Sequence, residues 1–384
     1  MVPRTSLTQD YSLTQDYFVR CLVQDNFLTY VSPNVIDAPV HRIPVDVLTG
    51  FTRRLLEQLG LTPDHAEIMS ANLVEADMRG VKSHGHWLMK RYSEWLNTGY
   101  MNPRPNIRVV HESAATVLVD GDCGPGHLAG AITMRRVIEK AHEAGSATGL
   151  TRNSRHYGAA AHYALMATNH DMVGYSATNA GPTMFAYGGR ERVVGNNPIA
   201  YAFPARNRRP LVLDMAMSMS ANGRIAIMES LGQQLPEGWA LNKLGQPTTD
   251  PRAFTDEGAG APIGGPKGIG LAQVIDALTG ILSGSGFGQS VGRVDGSDGT
   301  IAHAFQVIDI AAFIPVEQFK ERLGEQIRQF HESEPAEGVD QIMVPGELEW
   351  RAFEDAETNG VPLLASVITT LNEIASRMRI REQL

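Results

Sequence analysis

Between residues 116 and 310 the sequence alternates two hydrophobic periods, and that alternation constrains the fold more than any other feature. Thr116-Val-Leu-Val119, Met172–Ala177, Leu211–Leu213 and Ala304–Ile310 are short apolar runs of strand length, and Asp120-Gly-Asp122 reads as a turn after the first. Between them, residues 128–143 (ending near Gly145) and 158–169 (ending near Asn169) carry apolar residues at helical spacing. Pro266 to about Leu282, closed by Ser283-Gly284, reads as a further apolar helix. Interleaved strands and helices of this kind specify an α/β fold.

The flanks are helical. From Ile43 onward, Val45, Leu48, Phe51, Leu55 and Leu59 recur at three- and four-residue spacing until Gly60 stops the helix. A second helix is expected from Pro63, with Asp64 in its first turn and Ile68, Ala71, Leu73, Val74 and Ala76 as apolar positions. It runs into Arg79-Gly80 and the polar segment Lys82-Ser83-His84-Gly85, after which a third helix carries Trp87, Tyr92 and Trp95. Near the C-terminus, Pro315–Phe330 is amphipathic and a last helix is expected over 362–378. Residues 245–265 and 284–300 are rich in turn formers and read as mobile loops. The first 42 residues differ in character: Ser6-Leu-Thr-Gln-Asp-Tyr11 is repeated at once as Ser12–Tyr17. One six-residue repeat cannot build a solenoid. It reads as a duplication in a loosely ordered extension, with a dimer-clasping arm as the alternative.

Charge and cysteine usage exclude several classes. A net charge of −9 gives no broad positive field for nucleic acid or an anionic membrane, so a small anionic substrate needs local cations. Cys21 and Cys123 form neither a disulfide framework nor a metal motif. No apolar run has the length of a membrane helix, and the N-terminal residues lack a secretory h-region, so a cytoplasmic location is expected. No metal site is expected either: HExxH is absent, and His156 and His162 lie six apart, off a common helix face.

Several segments can carry chemistry. In Ser83-His84-Gly85 a histidine just past a helix end can exchange a proton near neutral pH, as reduction of a carbonyl requires, and Ser83 can hold its ring or relay the proton. In Asn153-Ser-Arg-His156-Tyr-Gly158, His156 precedes a helix N-terminus, which keeps the imidazole neutral and able to donate one hydrogen bond. Thr178-Asn-Ala-Gly-Pro182, Tyr187-Gly-Gly189 and Gly195-Asn-Asn-Pro-Ile199 are turn-rich pieces where backbone can approach a ligand. Asp214, at a strand end in Leu213-Asp-Met-Ala216, can cap a helix or take a ribose hydroxyl. Taken singly, a surface loop, a helix cap or plain turn chemistry explains each of these as well. Gly264-Gly-Pro-Lys-Gly-Ile-Gly270 is no nucleotide-hydrolase phosphate loop, and Gly124-Pro-Gly126-His-Leu-Ala-Gly130 misses the dinucleotide fingerprint by one position, with no acidic residue at a following strand end. An ordinary Rossmann fold is therefore rejected.

The order of these segments resembles the malate/L-lactate dehydrogenase family of the second type, which includes ureidoglycolate, sulfolactate and diketogulonate enzymes and Δ1-piperideine-2-carboxylate reductases. Glu75-Ala-Asp-Met-Arg-Gly80 followed by Ser83-His-Gly85 looks like its entry motif. The likeness continues through Asp120-Gly-Asp122 with Gly126, Asn153-Ser154, His156-Tyr-Gly158, Asn179 with Pro182, Gly188-Gly189 and Asn197-Pro198. It goes on through Asp214-Met-Ala216, Lys267-Gly268, Ile308-Asp309, Phe313 and Pro345-Gly-Glu347, covering residues 43 to about 380. The resemblance implies a non-Rossmann NAD(P)-binding α/β fold with a mixed sheet. A discontinuous domain of residues 43–115 and 300–384 would carry dimerisation, and residues 116–299 would form the central cofactor domain. It also implies a homodimer, with a small-molecule substrate and NAD(P)H as cofactor. Hydride would pass between NAD(P)H and a 2-oxo/2-hydroxy acid pair, or, as the alternative, to a cyclic ketimine; a family member without catalysis, acting as a binding protein, is the remaining possibility. His84 would be the proton donor, Ser83 its neighbour, and His156 would lie at the substrate and nicotinamide. Cofactor contacts would come from Asn179, Ala180, Asp214, Met215, Ala216, Gly264, Gly265, Lys267, Gly346 and Glu347.

The departures bear on the substrate. The family often has an arginine three positions after the glycine of Ser-His-Gly, where it can clamp a carboxylate; here Leu88 stands there, so Arg91 or Arg155 must substitute or the substrate differs. Tyr187 replaces a usual tryptophan before Gly188. Arg224 stands where ketimine reductases carry an aspartate; it can bind a second carboxylate or a cofactor phosphate and argues against imine reduction. Arg206, Arg208 and Arg209 either greet a 2′-phosphate, selecting NADP, or form a plain surface turn, so NAD and NADP both stay open.

Overall fold

The computed structural model describes residues 40–206, 209–292 and 300–384. The hexapeptide repeat, Cys21, Arg208 and part of the 284–300 segment lie outside them. The chain opens with β1 (Val40–Ile43), α1 (Val45–Gln58), α2 (Pro63–Met78) and α3 (Met89–Thr98). Then follow β2 (Arg108–Glu112), β3 (Thr116–Asp120), α4 (Gly126–Ala144), β4 (Ser146–Ser154), α5 (Ala160–Thr168) and β5 (Met172–Thr178). After the short pair β6 (Met184–Phe185) and β7 (Arg192–Val194) come β8 (Ile199–Phe203), β9 (Leu211–Met215) and α6 (Asn222–Ser230). A small unit holds β10 (Ala240–Leu241), β11 (Pro247–Thr248), α7 (Pro251–Thr255) and β12 (Ala259–Gly260). The chain finishes with α8 (Pro266–Asp276), β13 (Ile301–Asp309), α9 (Val316–His331), α10 (Glu347–Asn359), β14 (Val361–Leu364) and α11 (Ala365–Arg377).

Seven strands form the main sheet in the order β2-β3-β4-β13-β5-β8-β9. Only β3 and β4, joined across α4, run parallel; every other neighbouring pair is antiparallel. The expected mixed sheet is therefore present. One core lies between the sheet and helices α4 and α5, where Val119, Met134, Val137, Tyr163 and Phe305 are buried. A second joins the two ends of the described chain: Leu48, Phe51 and Leu55 of α1 pack with Leu73 of α2, Tyr92 of α3 and Leu371 of α11. β1 pairs antiparallel with β14, so Ile43 sits opposite Val361.

That pairing corrects two expectations. Residues 362–364 are strand rather than the start of the last helix, and Ile43 belongs to β1, with Pro44 preceding the first helical residue. The partner strands lie more than 300 residues apart in sequence, where no local period reports on them. Residues 245–265, read as a loop, contain β11, α7 and β12. The apolar stretch from Pro266 is α-helical only to Asp276 and continues as one wider turn over Ala277–Ile281.

α2 positions the site. Thr62 accepts a hydrogen bond from the His65 amide, Pro63 occupies the first turn, and Asp64 complements the helix dipole, so the start is well specified. The helix packs against α1, α4 and α10. Its C-terminal residues therefore emerge at the junction of the two cores.

Candidate active site

The chain leaves α2 through Arg79 and Gly80 and makes two consecutive tight turns, Lys82–His84 and His86–Leu88. Asp77, almost fully buried, fixes them. One of its oxygens accepts from the His86 amide at 2.8 Å and pairs with His86 Nδ1 at 2.6 Å, while His86 Nε2 meets Thr52 Oγ1 at 2.6 Å. Gly85 has to be glycine: a Cβ there would lie 2.2 Å from the Asp77 carboxyl carbon. A buried carboxylate and a missing side chain thus aim the preceding Ser83-His84 pair outward.

Ser83 Oγ lies 2.9 Å from His84 Nδ1, which leaves Nε2 as the ring nitrogen free for a reactant. The ring is half-buried, and the protein packed around it lowers its pKa to about 4. His156, on the loop after β4, stacks on His84 with ring centres 5.7 Å apart and planes 18° from parallel. Its Nδ1 lies 2.7 Å from the Tyr92 hydroxyl and accepts from the Gly158 amide at 3.3 Å. An Nδ1 that accepts from an amide carries no proton, so Nε2 carries it. Burial lowers the His156 pKa well below 6.5, and the His84 ring, then His127, lower it further. Two stacked imidazoles at this distance do not both carry charge, so the pair handles one proton at a time.

Both Ser83 and His84 line a cleft of about 800 Å³. Its walls are the 79–84 turn, the N-terminal turn of α5, β9 with the residues after it, α6 and the 339–349 segment. Asp214, Met215, Ala216, Arg224 and Gly346 all line it. The Asp214 carboxylate accepts from the Ala161 amide at 2.8 Å, so it caps α5, a helix earlier in the chain than the one its sequence position suggested. Surrounding protein raises its pKa to about 6, opposed by that amide and by Arg79. Arg224 lies over the Trp239 ring at 4.8 Å, and a Cβ on neighbouring Gly223 would come within 3.0 Å of Ser83, so the start of α6 abuts the Ser83 turn.

Other expected residues lie elsewhere. Leu88 is buried in the helical core with Met89 and Leu96. Arg155 donates from Nε to the Tyr100 carbonyl at 2.7 Å and stacks on that ring, and exposed Arg91 lies over Trp95; neither lines the cleft. Asn179 is committed internally: its Nδ2 donates to Asp276 and to the Gly286 carbonyl, each at 2.9 Å, and its Oδ1 accepts from the Ala302 amide. The Ala180 amide donates to Asn197. Gly264, Gly265 and Lys267 form the turn into α8 just beyond cleft-lining Ile263, and Glu347 binds back to the Val344 amide and to His331. Arg206 pairs with Glu317 and Glu321, and Arg209 with Glu354 and Glu357, outside the cleft. As described, the two form surface ion pairs and offer no cradle to a 2′-phosphate in the cleft.

Sequence reading missed Arg79, Lys82 and Tyr92 as site residues. Arg79 lines the cleft although only 3% exposed, stacks 4.4 Å over Trp350, and leaves Nε and Nη1 without partners. Its signal was present in the Glu75–Gly80 run. The sequence places Tyr92 only on the third helix; the fold buries its ring in the helical core and sets its hydroxyl on His156. Among the described residues no group of His, Cys, Asp and Glu is arranged to hold a metal.

A neutral imidazole on the wall of a cleft, backed by a second ring stacked on it, suits an oxidoreductase that moves a proton alongside a hydride, and comparison with known proteins places this chain among dehydrogenases. It belongs to the malate/L-lactate dehydrogenase family, whose model matches residues 43–372. Malate dehydrogenase of Pyrococcus horikoshii is 39% identical over 358 residues, covering 91% of this chain and 98% of that protein. L-sulfolactate dehydrogenase of Methanocaldococcus jannaschii is 40% identical over 301 residues, covering 77% of this chain and 86% of that one. The solved structure of malate dehydrogenase from P. horikoshii superposes with a TM-score of 0.83 at 38% identity, covering 90% and 97% of the two chains.

Proposed function

We propose that the cleft takes a nicotinamide dinucleotide beside a small 2-oxo or 2-hydroxy acid, and that the stacked His84–His156 pair carries the proton of the reaction. The stacking is the observation that carries this reading. The cleft suits such a cofactor: Arg79 offers buried, unpartnered N–H groups to an anion, Asp214 offers a carboxylate to a hydroxyl, and Met215, Ala216 and Gly346 supply apolar and backbone surface. The reduced nicotinamide, when bound, supplies the hydride. The remaining cofactor contacts proposed from the family, at Asn179, Ala180, Gly264, Gly265, Lys267 and Glu347, act through backbone or by shaping the wall. The fold does this without the glycine fingerprint of a Rossmann domain. The discontinuous domain we propose joins residues 43–115 to 300–384 around the β1–β14 pair, except that β2 and β13, inside those bounds, belong to the main sheet.

The protein's own groups supply the rest. In the direction of oxidation, neutral His84 accepts the hydroxyl proton on Nε2 while Ser83 holds Nδ1. In the direction of reduction, His84 delivers a proton to the carbonyl oxygen; a bound carboxylate beside it stabilises the imidazolium and raises its low pKa. His156 donates its Nε2 proton to the same oxygen and orients it. With Leu88 in the core, Arg224 takes the carboxylate, since it lines the cleft next to the residue that touches Ser83.

We also propose a homodimer acting in the cytoplasm on a small molecule, without nucleic acid or membrane. Leu271, Val274, Leu278, Ile281 and Leu282 are exposed along one side of α8 and its extension, a stripe that a second copy can cover. Light scattering of the wild type and of Leu278→Glu tests this: a monomeric wild type refutes it.

The decisive experiment follows NADH and NADPH consumption with a panel of 2-oxo acids and cyclic imino acids, with His84→Ala as control. Turnover of an oxo acid, reduced at least a hundredfold in His84→Ala, supports the reading. Turnover of an imine alone moves the protein to the ketimine reductases. Unchanged turnover in His84→Ala refutes the role of His84, and no turnover with either cofactor refutes the reading.

A further inference from the structure

Beside Gly158 and near His156, two polar side chains lie buried without partners. Asn72 on α2 and His127 in the first turn of α4 are each 1% exposed. Neither amide atom of Asn72 and neither ring nitrogen of His127 has a hydrogen-bond partner. Buried polar groups are almost always satisfied, and where protein atoms do not serve them an internal water does.

The geometry brings these groups together. A Cβ built on Gly158 would lie 2.2 Å from Asn72 Oδ1 and 2.9 Å from His127 Nε2. The two atoms are therefore within about 5 Å of each other, a gap one water can bridge. Gly158 has φ +78°, and a side chain there would collide with both groups, so the backbone can approach them only as glycine. Tyr92 closes the group: its ring meets His127 edge-on at 5.2 Å, and its hydroxyl lies on His156 Nδ1. His127 itself lies 6.4 Å from His156, centre to centre.

We propose that Asn72 and His127 hold a buried water against the Tyr92 hydroxyl, and that the chain water–Tyr92–His156 fixes which ring nitrogen of His156 carries the proton. Water donating to the tyrosine oxygen makes its O–H a stronger donor to Nδ1, because hydrogen bonds in series polarise one another. A stronger donor at Nδ1 opposes protonation there and reinforces the Nε2–H form that the Gly158 amide already favours. Asn72 and His127 are positioning residues: they act through Tyr92 and touch no reactant. Burial keeps His127 neutral, with its pKa lowered to about 3, so its Nε2, the nitrogen near Asn72, offers the water either a proton or a lone pair according to tautomer. The inference rests on the role proposed for His156, and the tests separate the two.

The test compares Asn72→Leu, His127→Phe and His127→Gln with the wild type. The first two should lower kcat about tenfold, leave KM for the nicotinamide cofactor within twofold, and move the acid limb of the kcat–pH profile to higher pH. His127→Gln, which can still bind water, should restore most of the rate. A merely structural role would lower the melting temperature and leave the pH profile of the folded fraction in place, and that result overturns the proposal. If the variants fail to fold, a wild-type crystal structure at high resolution decides: ordered water between Asn72, His127 and Tyr92 supports the proposal, and its absence overturns it. His156→Ala serves as the separate control, because unchanged kcat there refutes the role of His156 whatever the water does.

Discussion

Acidification should destabilise this protein through two buried histidines, by an amount the structure sets. His303 is fully buried at the centre of the sheet, stacked on Tyr157 at 4.5 Å, with Nδ1 on Thr178 Oγ1 at 2.8 Å and Nε2 on Ser154 Oγ at 2.9 Å. Burial lowers its pKa to about 3, as it does for His127. Each folded pKa lies below the unfolded value near 6.5, so as pH falls through 6.5 the unfolded chain takes up protons that the folded chain refuses. Stability is lost across the window from about pH 6.5 down to about pH 3. At about 1.4 kcal/mol per pH unit per group, going from pH 7 to pH 5 costs about 2 kcal/mol for each histidine and about 4 kcal/mol for the pair. His84 adds less, because cleft water reaches its ring. Other groups titrate in the same window, so the informative quantity is a difference. His303→Gln removes the titration and can keep the Nε2-side contact with Ser154, at the loss of the Thr178 contact. Urea unfolding followed by tryptophan fluorescence should therefore show the variant less stable than wild type at pH 7, with the gap narrowing by about 2 kcal/mol at pH 5. A gap that is the same at both pH values refutes the reasoning.

Tyr92→Phe removes the hydroxyl on His156 Nδ1 and should lower kcat about tenfold, the worth of one neutral hydrogen bond, with cofactor KM unchanged in steady-state assays. Gly85→Ala drives a methyl group into Asp77 and should displace the Ser83-His84 turn; kcat falls more than tenfold while equilibrium binding of NADH or NADPH, read by fluorescence, persists. Arg206→Ala with Arg209→Ala should change the ratio of NADPH to NADH turnover less than twofold, because both arginines are held in exposed ion pairs of small worth. Arg224→Met should raise KM for the oxo acid at least tenfold and leave cofactor KM alone.

Legibility in the sequence followed the range of the interaction responsible. α1 and α2 were readable because their apolar spacing and their caps lie within a few residues. The Ser83-His84 and His156 segments were readable as motifs, yet nothing local says that residues 72 positions apart stack ring on ring. β4 escaped notice because Ser146–Ser154 is largely polar between its buried positions, and its identity as a strand comes from flanking partners β3 and β13. Leu88 shows the converse: as a substitution in a motif it suggested a displaced carboxylate clamp or a different substrate, whereas in the fold it is a core residue. Asp214 was rightly suspected of capping, but the helix it caps precedes it in the chain and meets it only through the sheet. Asn72 and His127 carried no signal, since an unpartnered buried polar group is defined only once its neighbours are in place.

The central strand has a consequence for how the protein is made. β13 pairs with both β4 and β5, so these two strands, finished by Thr178, have no common neighbour until Ile301 is synthesised. At about 5–20 residues per second, a ribosome needs roughly 6–25 s to add the roughly 120 intervening residues. For that time the nascent chain carries two strands, each with one edge lacking its partner, an arrangement prone to pairing with another chain. β14 and α11, made later still, then close the helical core against the first helix. Native structure in this molecule thus waits on residues beyond 300, and fragments ending before residue 301 should be captured by chaperones or aggregate rather than persist as a folded N-terminal unit.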